Sequence, residues 1–138
     1  MQVYSLNLAN KDFVYEINYN NDGDDLTLCT NEEALSSLPI AIKTIEDSIK
    51  KYFELENYII TLQRIVFGED DRSDRFKYSI RTGSKWPAKE MICNTSIPKI
   101  TEKEPSEERQ NLSCSIAGLL DEVEKYLRGE RAQGTLDI

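Results

Sequence analysis

The stretch NYIITLQRIVFGEDDRSDRFKYSIRT, residues 57–82, decides the architecture. NYIITLQRIVFG is rich in β-branched and aromatic residues and reads as a strand. The acidic EDDRSD makes a hairpin loop, and RFKYSIRT returns with strict alternation. Phe76, Tyr78 and Ile80 share one face of that returning strand; Arg75, Lys77, Ser79 and Arg81 share the other. An antiparallel hairpin with one buried and one cationic face is predicted. A third strand near EMICN, residues 90–94, completes a meander.

On the N-terminal side, Ile42, Ile45, Ile49, Tyr52 and Phe53 recur at helical spacing after Pro39, which suits a first turn where its missing N–H costs nothing. They predict an amphipathic helix of about four turns. Earlier still, Phe13, Tyr15, Ile17 and Tyr19 alternate with Val14, Glu16 and Asn18, the pattern of a half-buried strand. VYSLNL is its partner through the turn residues ANKD, and NNDGDD turns the chain into LTLCT, giving a first meander. NNDGDD lacks the closing Glu of a calcium loop and reads as a solvated turn.

On the C-terminal side, PKITEKEPSEER is polar and Pro-interrupted, hence a loop. Leu112, Ile116, Leu119, Leu120, Val123, Tyr126 and Leu127 then outline a second amphipathic helix, closed by Gly129. The order βββαβββα predicts an α+β fold in which two antiparallel β-meanders form a sheet packed with two α-helices. At 138 residues the chain is one domain, 1–138, with a flexible tail over 129–138.

Composition removes many function classes. The chain has no histidine, so Ser-His and Cys-His nucleophiles, imidazole bases and zinc-imidazole sites are excluded. Cys29, Cys93 and Cys114 are odd in number and far apart, as reduced thiols are. No Walker or dinucleotide fingerprint occurs, and the acids sit in turns and on helix surfaces rather than at converging strand ends. The expectation is a non-enzyme with no cofactor, no metal and no catalytic residues. No apolar run approaches the roughly 20 residues that span a bilayer, and MQVYSLNLANKDF lacks an export signal, so a cytoplasmic protein without a membrane partner is expected.

Charge is distributed unevenly. The chain has a net charge of −8, yet residues 75–99 hold six Lys or Arg against a single acid, Glu90. A negative total disfavours duplex DNA as a partner, because that binding neutralises many phosphates at once, but a small anion in one basic pocket remains compatible. Arg75, Lys77 and Arg81 place three cations on one side of a sheet, and the guanidinium fork matches phosphate oxygens. A solvated outer face, partly neutralised by Glu69, Asp70, Asp71 and Asp74, has the same pattern.

Trp86, in TGSKWPAK, can fold over a flat ring, and Asn94, Thr95 and Ser96 offer amide and hydroxyl groups at a strand end. Arg109 stands near the start of the last helix, against the helix dipole, either for a ligand or in a surface ion pair with Glu104 or Glu108. In the tail RAQGTLDI, the spacing of Gln133, Leu136 and Ile138 fits peptides that dock into bacterial sliding clamps; an inert terminus is the plainer alternative.

CNTSIPK and the ending LLDEVEKYLRGERAQGTLDI give the chain a resemblance to small phage and prophage proteins with an NTP-like segment before the last helix and an ending of the type Y-x-x-G-x-R-A-Q. Ser96 and Ile97 interrupt the first pattern, and Ile138 replaces a terminal aromatic. In element order the chain resembles the first family of Thoeris anti-defence proteins. The resemblance implies a sponge that sequesters a cyclic ADP-ribose signal, in some members cyclic oligonucleotides, and assembles as a homodimer or larger homo-oligomer in the host cytoplasm. It also implies a pocket of arginines, an aromatic ring and an asparagine, whose counterparts here are Arg75 or Arg81, Phe76 or Trp86, Asn94 and Arg109. A nucleotide signal of this kind asks for Arg forks, a stacking ring and polar ends, and capture needs no acid–base group. The competing expectation is a replication or recombination accessory protein tethered to the sliding clamp.

Overall fold

In the computed structural model, residues 1–69, 72–82, 91–97 and 106–129 are described. The elements follow the expected order: β1 (Gln2–Asn7), β2 (Tyr15–Asn21), β3 (Asp24–Thr30), α1 (Ser37–Tyr52), β4 (Tyr58–Val66), β5 (Asp74–Thr82), β6 (Met91–Ile97) and α2 (Glu107–Leu127). The two meanders join edge to edge into one six-stranded antiparallel sheet of order β3-β2-β1-β4-β5-β6, an α+β fold.

Between β2 and β3 a two-residue turn suffices, because Asp22 and Gly23 adopt φ of 54° and 87°. Positive φ at both central residues gives the hairpin a twist matching its strands, and glycine adopts it without strain. Phe13 does not join β2 as the alternation predicted; it is 38% exposed. The Asn10 side chain accepts from the N–H groups of Asp12 and Phe13, and that local turn diverts the chain before the ladder begins.

The seam between the halves is short, with Ser5, Leu6 and Asn7 paired to Val66, Ile65 and Arg64. Leu6 stands between Ile17 and Ile65 across the ladder, and Phe76 follows Ile65, so a row of fully buried apolar side chains crosses the sheet. Both helices cover this row. Their apolar stripes are those expected, with Ile45, Ile49, Leu112, Ile116, Leu119, Val123 and Tyr126 buried.

α1 lies on β4 and α2 on β1, so each helix covers a strand of the other half. The helices run antiparallel: Ser37 Oγ donates to Glu122 at 2.6 Å at one end, and the hydroxyls of Ser48 and Ser115 are 2.7 Å apart at the other. α2 starts at Ser106, whose hydroxyl accepts from the Arg109 N–H, and ends before Gly129, as the sequence suggested.

The loop after β4 turns on Gly68. A Cβ there would lie 2.2 Å from the Arg72 carbonyl oxygen and 2.6 Å from that of Ser73, so only glycine fits. The Gly68 N–H donates to the buried Asp74 carboxylate at 2.8 Å, closing the hairpin that presents the cationic strand.

Candidate functional site

The helices cover one face of the sheet; on the other face the two halves differ in chemistry. Over β1, β2 and β3 the polar side chains bond to one another. Asn7 donates to Glu16 at 2.7 Å, Asn18 to Ser5 at 2.9 Å, Thr27 to Asn18 at 2.6 Å and Asn20 to Asp25 at 3.0 Å. Tyr4 also donates to Asp25, and desolvation with that carboxylate holds its phenol above the ordinary value of 10.0.

Over β4, β5 and β6 the open face is cationic. Arg75, Lys77 and Arg81 share it, as their spacing predicted, and all are exposed. Arg64 joins them because β4 contains a bulge: Leu62 pairs with Tyr78, but Arg64 pairs with Lys77, leaving Gln63 as the extra residue. The slip turns Arg64 away from the core side that Ile60 and Leu62 occupy. Asn94 stands opposite Lys77, and Ser96 opposite Arg75. No acid stands on this face of the three strands; Asp74, the single acid in them, is buried and bonded to Gly68.

The other residues singled out from sequence are placed differently, although Phe76 and Thr95 also line a concavity beside Arg64, Arg75 and Lys77. Phe76 points into the core at 2% exposure and has no free face to stack on a ligand. Thr95 shares its side of the sheet, and its hydroxyl lies 3.1 Å from the Tyr78 hydroxyl. Arg109 lies on the helical side, where it lines a cavity of about 180 Å³ with Asp74, Ile116 and Leu120. The sheet separates it from Arg75 and Lys77. Asn94, Thr95 and Ser96 occupy the interior of β6 rather than its end. Trp86, the clamp-like residues Gln133, Leu136 and Ile138, and all of the expected tail except Gly129 lie outside the described residues.

A concavity of about 280 Å³ lies among Arg64, Arg75, Lys77, Asn94 and Ser96. Its volume lies at the lower edge of the roughly 300–1,000 Å³ typical of a small-molecule site. A larger groove of about 730 Å³ separates the outer surfaces of α1 and α2, but its charged lining is Asp47, Glu122 and Lys51. Two carboxylates and one ammonium repel a phosphate on balance, so of these two the smaller is the anion-compatible one. Among the described residues no cluster of three or more Cys, Asp or Glu could hold a metal ion, and no helix is long and apolar enough to cross a membrane.

No family model, curated protein or solved structure matches the chain.

Proposed function

We propose that the chain is a binding module that captures a phosphate-bearing nucleotide signal, of the cyclic ADP-ribose or cyclic nucleotide kind, and sequesters it without chemistry as an anti-defence sponge. One observation carries the proposal: Arg64, Arg75, Lys77 and Arg81 share a single sheet face that, among the described residues, is uncovered and bears no carboxylate, in a chain of net charge −8. Concentrating like charges costs free energy unless something compensates, and an anion is the simplest compensation. Arginine forks bind phosphate oxygens through two parallel hydrogen bonds, while Asn94 and Ser96 beside them can engage a base edge or ribose hydroxyl. Arg109 takes no part, since it lies on the helical side, and Phe76, although it lines the concavity, is 2% exposed and has no ring face to offer a ligand.

Calorimetry with cyclic ADP-ribose isomers and cyclic dinucleotides tests the proposal. The parent protein should bind at least one of them, and the double variant Arg75→Glu, Lys77→Glu should bind none while melting normally, because both side chains are exposed. Arg109→Gln should leave binding unchanged. Absence of heat with every one of these nucleotides would overturn the cyclic-ligand form of the proposal, and absence with a short linear oligonucleotide as well would overturn nucleotide capture altogether.

A further inference from the structure

Resting only on the nucleotide-capture part of that reading, we infer that the ligand is extended: a short single-stranded oligonucleotide, joined by phosphodiesters and lying along β5, rather than a compact nucleotide closed by a pyrophosphate. The cations form a line, not a ring. Arg75 and Lys77 are two residues apart on one strand, about 6.8 Å, and Arg81 is four residues further, which puts the ends of the row about 20 Å apart. Side chains stand roughly perpendicular to a sheet, so the Arg75 and Arg81 guanidinium groups do not converge on one pyrophosphate, whose two phosphorus atoms share an oxygen. The step from Arg75 to Lys77 is instead comparable with the distance between successive phosphates of a single strand. Arg64, across the ladder from Lys77, gives the middle of the row a second donor.

The surroundings of the row suit a strand as well. The concavity takes in Arg64, Arg75 and Lys77 but not Arg81, so it does not gather all four cations around one compact ligand. Toward the Arg81 end, Ile59 and Ile92 are 40% and 48% exposed on the same face, offering apolar surface to bases whose phosphates the cations hold. Among the described residues, the open face of β4, β5 and β6 bears no aromatic ring. Phosphate contacts therefore carry the affinity, and binding should be sequence-tolerant and steeply salt-dependent. A duplex carries twice the charge per unit length and would bring it against the acidic remainder of the surface, which excludes it on this face.

The test is fluorescence anisotropy with a labelled oligothymidylate of about six nucleotides. Four phosphate contacts give a slope of log K against log salt of about −2.8, an affinity loss of about 50-fold between 50 and 200 mM salt. Arg64→Gln, Arg75→Gln, Lys77→Gln and Arg81→Gln should each make that slope about 0.7 shallower. Cyclic ADP-ribose and inorganic pyrophosphate should compete poorly. Tighter binding of cyclic ADP-ribose than of the oligonucleotide, or equal binding of a duplex of the same length, would overturn the inference and leave the nucleotide-capture proposal standing. Failure of every nucleotide to bind would overturn both.

Discussion

Substituting Gly68 by alanine should cost more than any surface change in the molecule, and the cost can be worked from distances. The new methyl carbon would meet the Arg72 carbonyl oxygen at 2.2 Å, the Ser73 carbonyl oxygen at 2.6 Å and the Arg72 carbonyl carbon at 2.8 Å. All three atoms are backbone, so no side-chain rotation relieves the overlap and the loop itself must move. Overpacking of this kind costs about 1–3 kcal/mol, occasionally more. Moving the loop also stretches the 2.8 Å bond from the Gly68 N–H to the Asp74 carboxylate, a charge-assisted contact worth about 1.5–3 kcal/mol. A combined loss of about 3–4 kcal/mol is a large fraction of the roughly 5–15 kcal/mol that holds an ordinary domain together. For a chain of this length it lowers Tm by about 10 °C or more. Thermal unfolding followed by far-ultraviolet circular dichroism measures it, with Gly118→Ala as the control, since a methyl group there meets nothing within 4 Å. The control should melt slightly higher than the parent, because alanine favours a helix interior by up to about 1 kcal/mol. If Gly68→Ala melted within about 2 °C of the parent, an interval that corresponds to less than about 1 kcal/mol, the tight-loop account would be wrong.

Two further outcomes follow from particular contacts. The buried Tyr126 hydroxyl donates to the Glu32 carbonyl oxygen at 2.6 Å, so Tyr126→Phe should cost about 1–3 kcal/mol in urea denaturation with an unchanged m-value. The hydrogen bond from Ser37, aided by Lys125, lowers the Glu122 pKa below its ordinary value of 4.5. The interhelical bond therefore contributes at neutral pH and down to about that value, and its contribution is lost as pH falls through the lowered pKa. Ser37→Ala should be less stable than the parent at pH 7, with the gap closing below pH 4.5; a gap that stayed constant on acidification would refute the coupling.

Most of the fold was legible because its signals are local. Period-two alternation in RFKYSIRT placed Phe76 and Tyr78 inward and the cations outward, and the helical stripes from Ile42 and Leu112 placed both helices. The pairing of β1 with β4 left no such mark, since it joins residues 5–7 to residues 64–66 through hydrogen bonds that any sequence can make. Arg64 was missed for a related reason. Continued alternation from Ile60 and Leu62 assigns it to the core, and the bulge that reverses it is fixed by register with β5 rather than by its own neighbours. Arg109 joins Arg75 in the sequence reading because it stands against the helix dipole and because the resemblance implies a pocket of arginines. Neither signal tells which side of a sheet a following helix will take, and α2 packs on the side opposite the cations.

The crossed placement of the helices has a consequence for how the molecule comes apart. A short seam stitches the halves along the sheet, three ladder pairs flanked by the backbone bonds of Leu8 to Gln63 and of Phe67 to Tyr4, which taken alone would let each βββα unit open separately. Yet α1 shields β4 and α2 shields β1, so either unit, once detached, would leave its own seam strand bare and take its helix away from the strand it covers. The halves are mutual hostages, and native-state hydrogen exchange should find amide protons of Leu6 and Ile65 released in the same global event.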